Sequence, residues 1–182
     1  MTKDTMTSAL RYTAGARWLH WLTAVLMVVV ITAGLWIVYF EPKDEAFKFR
    51  LYNIHESVGV IVFALTIARL LNRWRNPPPP LSPDTPALIQ RCARVTHLSL
   101  YALLLLMPAI GFLATNAWGF PLRLFDLIPL PSPIGKDEAL ARTLSFLHGC
   151  GAIAIGTLIG AHLAGAAHHT FIRRDGLLKR MT

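Results

Sequence analysis

Seven histidines stand out in a chain of 182 residues of which only 15% are charged. They are His20, His55, His97, His148, His162, His168 and His169, and each falls in or at the end of a long apolar run. A polar ring in hydrocarbon is costly, so an intramembrane histidine is a functional candidate by default. Neutral imidazole is also a common metal ligand. His148 and His162 lie 14 residues apart, which at about 100° and 1.5 Å per helical residue puts both on nearly one face, about 21 Å apart in depth. One therefore sits towards each leaflet. His20, early in the first apolar run, lies level with His162. His55, early in the second, lies level with His148. Each pair draws on two different helices, as a haem b iron clamped between two imidazoles requires.

The other histidines have less defined roles. His169 shares the face of His162 about two turns further on and is expected at the membrane surface. His168 points elsewhere, and His97 opens the third helix at the same level. With Arg69 and Arg94, these three are candidates to line a polar pocket near the inner pair, or else to anchor helix ends at the interface. Gly34, Gly59, Gly149, Gly151, Gly156, Gly160 and Gly165 leave room for a flat macrocycle or for a second helix, with Gly156 and Gly160 spaced as a G-x-x-x-G pair. Cys92 and Cys150 are expected at different depths and unpaired. No C-x-x-C-H is present, so a haem here is not covalently attached.

The elements that must position these rings follow from composition. Hydrophobic residues make up 54% of the chain, and the charged fraction is well below the roughly 25% of soluble domains. Uncharged runs extend from Arg17 to Glu41, from Arg94 to Arg123 and, histidines apart, from Arg142 to Arg173. Each exceeds the ~20 residues that cross a bilayer as a helix. A fourth run, Leu51 to Trp74, contains Glu56 and Arg69, both read as near its ends and able to snorkel. The expected fold is all-α, an integral membrane four-helix bundle forming a single domain over 1–182, with helices near 17–39, 52–74, 93–115 and 143–170. Trp18, Trp21, Trp36, Trp74 and Trp118 read as interfacial belt residues. The link Asn76 to Pro86 is rich in proline, Pro83 included, and is expected to be stiff and extended. The segment Phe120 to Ile134 is expected on the outer membrane surface.

Charge orients the bundle. Twelve of the 18 basic residues fall on one side: Lys3, Arg11 and Arg17, then Arg69, Arg73, Arg75, Arg91 and Arg94, then Arg173, Arg174, Lys179 and Arg180. Lys43, Lys48, Arg50, Arg123, Lys136 and Arg142 share the other side with Glu41, Asp44, Glu45, Asp126, Asp137 and Glu138. The positive-inside rule then places both termini in the cytoplasm. This distribution explains the net charge of +8 without a nucleic-acid partner, since no basic stretch outside the spans is interleaved with aromatics.

The ordered set of motifs resembles the bacterial cytochrome b561 family, which contains superoxide oxidase, over nearly the whole length. It comprises Arg17-Trp18-Leu19-His20-Trp21, Asn53-Ile54-His55, Ala68-Arg69-Leu70 before the proline run, and His97-Leu98-Ser99-Leu100-Tyr101. It continues through Met107-Pro108-Ala109-Ile110-Gly111 and Leu147-His148-Gly149 to Ala161-His162 and Ala167-His168-His169. The resemblance implies a bacterial inner-membrane protein holding two haem b groups, with His20, His55, His148 and His162 as axial ligands in the pairs His20/His162 and His55/His148. It also implies a ubiquinone site near the cytoplasmic haem, with His168 at the matching position.

The expected function is electron transfer from a periplasmic one-electron donor, superoxide, to ubiquinone. Two alternatives stand beside it. The chain is the membrane anchor of a dehydrogenase or hydrogenase, fed by a redox partner protein, or it is a haem-free transporter or scaffold. Expected partners are therefore the lipid bilayer, ubiquinone, and superoxide or a redox protein.

Overall fold

A computed structural model of the chain describes residues 11–40, 42–80 and 85–182. Lys3, Glu41 and Pro83 lie outside the described residues. Four long helices carry the fold: α1 (Ala14–Phe40), α2 (Glu45–Arg75), α3 (Ala87–Ala117) and α4 (Glu138–Ala167). All four are long and apolar enough to cross a membrane. α1 packs along α2 and α3 along α4, with α2 and α3 joining the two hairpins. Much of the apolar surface faces outward, as at Val38, Phe146 and Ile153, which are 66, 70 and 74% exposed. Lipid is the solvent for such a surface, so the inside-out rule of soluble proteins does not apply.

The expected spans are correct in number and order but too short. α2 begins at Glu45 rather than near residue 52 because the Asp44 carboxylate accepts from the N–H groups of Ala46 and Phe47, at 2.9 and 3.3 Å. Asp137 starts α4 in the same way through Ala139 and Leu140, both at 3.0 Å. Such caps sit in the polar zone beyond the apolar run and satisfy N–H groups that a hydropathy reading does not see. As a result Glu56 and Arg69 lie inside α2 rather than at its ends. His97 lies about three turns into α3 rather than opening it.

The packed core is small and lies between the two histidine levels. Val58, Val62 and Leu104 are its buried members, flanked by Leu26, Met27, Val30 and Ile54. The buried hydroxyls of Thr23 and Thr66 are satisfied within their own helices, on the carbonyls of Leu19 and Val62 at 2.6 and 2.7 Å.

The connection after α3 is more ordered than a surface segment. Strands β1 (Arg123–Leu124) and β2 (Ile128–Pro129) pair antiparallel around Phe125 and Asp126, whose φ angles are +50° and +60°. The hairpin is pinned to α2: Asn53 Nδ2 donates to the Arg123 carbonyl at 2.7 Å, and the Phe125 N–H to Ser57 Oγ at 2.8 Å. After α4 a π-helical turn, His168–Arg173, leads through Arg174 at φ +52° into a returning tail. That tail meets the start of the chain, with Tyr12 N–H on the Arg180 carbonyl at 3.1 Å and Trp21 Nε1 on the Met181 carbonyl at 2.8 Å. Both described ends thus share one end of the bundle, called the terminal end below.

Candidate haem sites

Near the opposite end, α2 contributes His55 and α4 contributes His148, with ring centroids 6.0 Å apart. Near the terminal end, α1 contributes His20 and α4 contributes His162, with centroids 6.1 Å apart. Two metal–nitrogen bonds of about 2 Å, with half an imidazole ring beyond each, add up to about 6 Å. Both pairs therefore have the separation that one six-coordinate iron needs. The depth argument from residue spacing paired the same residues.

The surroundings of the opposite-end pair fit a ligand site. His55 Nδ1 lies 2.9 Å from the Val30 carbonyl. A carbonyl accepts only, so Nδ1 carries the proton and Nε2 keeps a free lone pair for a metal. Gly34 and Gly111 make the space. A Cβ on either would come within 3.0 Å of a ring carbon, of His55 and of His148 respectively. Gly111 stood in the sequence only as part of a motif, and its contact with His148 is tertiary. Gly149, Gly156 and Gly160 face open space, so the G-x-x-x-G spacing does not serve helix packing within this chain. Gly151 is packed instead against Met107, whose Sδ a Cβ there would overlap.

The terminal-end pair is more crowded. His97 of α3 stands 5.4 Å from His162, closer than His20 does. That is short of the span an iron requires between two rings. Arg69 reaches His20 Nδ1 from α2 at 3.2 Å. A pocket beside it is lined by Tyr12, His20, Arg69, Arg73, Tyr101 and Met181. Of the residues expected to line a polar pocket here only Arg69 does so; His97, His168, His169 and Arg94 do not.

His169 departs furthest from expectation. It is 5% exposed rather than at the surface, and its Nδ1 donates to Asp175 Oδ2 at 2.6 Å. The π-helical turn and the left-handed Arg174 bring Asp175 back over it. Burial pushes the Asp175 carboxyl up, but hydrogen bonds from His169, the Leu177 N–H and Arg173 together hold it below the ordinary carboxylate range. His168 is half-buried, its ring 5.9 Å from that of His169. Cys92 and Cys150 are both free thiols.

Four membrane-spanning helices holding two pairs of facing histidines define a membrane cytochrome b. The family comparison agrees. A model described as prokaryotic cytochrome b561 matches residues 11–182, and the chain belongs to that family. Among curated relatives, cytochrome b561 homolog 2 of Escherichia coli (strain K12) is 31% identical over 162 residues, covering 89% of this chain and 86% of that one. Cytochrome b561 homolog 1 of the same organism is 27% identical, covering 94% and 96%. A protein of Yersinia pestis named probable superoxide oxidase CybB is 29% identical, covering 90% of each. The chain is thus a multi-pass bacterial inner-membrane electron carrier of a haem b family. This overturns the haem-free transporter or scaffold alternative.

Proposed function

We propose that the protein oxidises superoxide and reduces ubiquinone, using two haem b groups per chain. His55 and His148 hold the haem iron nearer the periplasm, and His20 and His162 hold the one nearer the cytoplasm. His168 belongs to the quinone site. The observation that carries this reading is the occurrence of two histidine pairs, each about 6 Å across, at two levels of α4. The relative named probable superoxide oxidase supports the choice of donor.

When bound, haem b supplies the one-electron chemistry. The chain supplies position and exclusion. Val30 fixes the tautomer of His55. Val58, Val62 and Leu104 form a dry layer between the two levels. The overall balance is two superoxide, one ubiquinone and two protons giving two dioxygen and one ubiquinol. Long-range steering of superoxide by surface charge has little support. Lys48, Lys136 and Arg142 at the periplasmic end each lie within 4 Å of a glutamate carboxylate.

The exposed apolar tip of the hairpin favours a second reading. Leu127 is 78% exposed there, beside Phe125 and Ile128. A docked redox subunit would deliver the electron at that surface. Purified protein in detergent decides between the two. Reduction of the haem by a superoxide source, abolished by superoxide dismutase and reversed by ubiquinone, is the expected result. Haem that superoxide leaves oxidised would move the assignment to the partner-fed reading.

A further inference from the structure

The pocket at the terminal end holds two guanidiniums in an arrangement that the ligand assignment does not use. Arg69 and Arg73, one helical turn apart on α2, lie with their Cζ atoms 5.2 and 5.9 Å from the centre of the Tyr101 ring. Among the described residues neither makes an ion pair. Arg73 is exposed and Arg69 part-buried, and two like charges gathered over one aromatic face repel each other, which an anion bridging them would relieve.

The Arg69 contact with His20 sharpens the point. A guanidinium has donors only, so a contact with His20 Nδ1 makes that atom the acceptor and leaves the ring proton on Nε2. In this rotamer Nε2 then has no lone pair for a metal. Ligation through Nε2 puts the proton on Nδ1, where it repels the guanidinium. Arg69 must then take another acceptor within reach, and the pocket beside it is where that acceptor fits.

The size of the pocket limits the occupant. Its volume is about 40 Å³, a few times the ~10–15 Å³ that one water requires. That admits the three heavy atoms of a carboxylate. Tyr12 also lines it. Burial raises the Tyr12 phenol above its usual value, against the lowering effect of Arg73 and Arg180, so it stays a hydrogen-bond donor at neutral pH.

We infer that Arg69 and Arg73 bind an oxyanion, namely a propionate carboxylate of the haem held by His20. This rests on the reading that His20 is an axial ligand. A guanidinium recognises a carboxylate and a phosphate by the same bidentate geometry. An anionic lipid headgroup is therefore the other source of this chemistry.

The test uses holoprotein from cells fed 5-aminolevulinate carrying ¹³C at its carboxyl, which labels the haem propionates. Redox-induced infrared difference spectra then report on those carboxylates directly. A label-sensitive carboxylate band should move in Arg73→Gln and Arg69→Gln but not in Arg75→Gln, whose side chain neither lines the pocket nor stands over Tyr101. Transfer of one haem to excess apomyoglobin should also be about tenfold faster in Arg73→Gln, the scale of one lost charge-assisted bond. If Arg69→Gln does not assemble, Arg73→Gln carries the test. A labelled band that neither substitution moves overturns the proposal. So does loss of co-purified anionic phospholipid from Arg73→Gln with the band unmoved, which assigns the pocket to lipid phosphate. Failure of the ligand reading is separately visible, because His20→Ala would then keep both haems.

Discussion

At the scale of the residue, ring separation favours His20 over His97 as the proposed partner of His162. His162 has two neighbours, His20 with centroids 6.1 Å away and His97 with centroids 5.4 Å away. Only the longer span leaves room for an iron between two nitrogens. His20→Ala should therefore lower the haem content from about two per chain to about one, while His97→Ala should leave it unchanged. A pyridine haemochrome assay on purified protein reads the difference. Equal loss in both variants would place the terminal-end site among all three rings. The opposite-end pair offers a second check through the space its glycines keep. A Cβ at Gly34 or Gly111 would stand 3.0 Å from a histidine ring carbon, and longer side chains would fill the ring's own volume. Gly34→Ala should displace the His55 ring by a few tenths of an ångström and cost little. Gly34→Leu should exclude one haem and destabilise the bundle by about 1–3 kcal/mol, as overpacking does. Thermal melting and haem content measured on the same samples separate the packing effect from the ligand effect.

At the scale of the element, the returning tail depends on one carboxylate. Asp175 accepts from His169, Arg173 and the Leu177 N–H, at 2.6, 3.3 and 3.2 Å. Its folded pKa is depressed, so its contribution to holding the tail is present above the ordinary aspartate value of about 3.9. That contribution is lost as pH falls through the depressed folded value. Protection of the Arg180 and Met181 amides against hydrogen exchange, relative to the intrinsic chemical rate, should therefore be high at neutral pH and fall in acid. Asp175→Asn should give fast exchange at neutral pH and remove the acid step. A tail equally protected in that variant would show that Tyr12 and Trp21 hold it without the carboxylate. This element also shows how far a sequence can be read. The four spans were visible because lipid demands unbroken apolar runs, and the pairing of His20 with His162 followed from helical pitch. The capping by Asp44 and Asp137 is local, two and three residues along the chain, and is the kind of signal an Asp before a helix gives. The hairpin pinned by Asn53 and Ser57 joins distant segments, and no local pattern records it. The Arg69 contact with His20 escaped for the same reason, since it joins residues 49 positions apart.

At the scale of the whole molecule, the direction of electron flow depends on which end faces the cytoplasm. Among the described residues, the terminal end carries Arg11, Arg17, Arg91, Arg94, Arg173, Arg174, Lys179 and Arg180 beside the pocket arginines. The opposite end mixes Lys43, Lys48, Arg50, Arg123, Lys136 and Arg142 with Asp44, Glu45, Asp126, Asp137 and Glu138. Lysine and arginine in short loops set orientation, and acids contribute little to it. The terminal end should therefore be cytoplasmic. A fluorescent protein fused after Thr182 should fluoresce, and alkaline phosphatase at the same position should be inactive, because that enzyme requires the periplasm to form its disulfides. Active phosphatase would turn the bundle over. His20 and His162 would then lie at the periplasmic side, where superoxide would have to arrive beside Arg69 and Arg73. His55 and His148 would face the cytoplasm beneath the hairpin. Because the histidine pairs are fixed within the bundle, this one reporter assigns both pairs to their sides of the membrane at once.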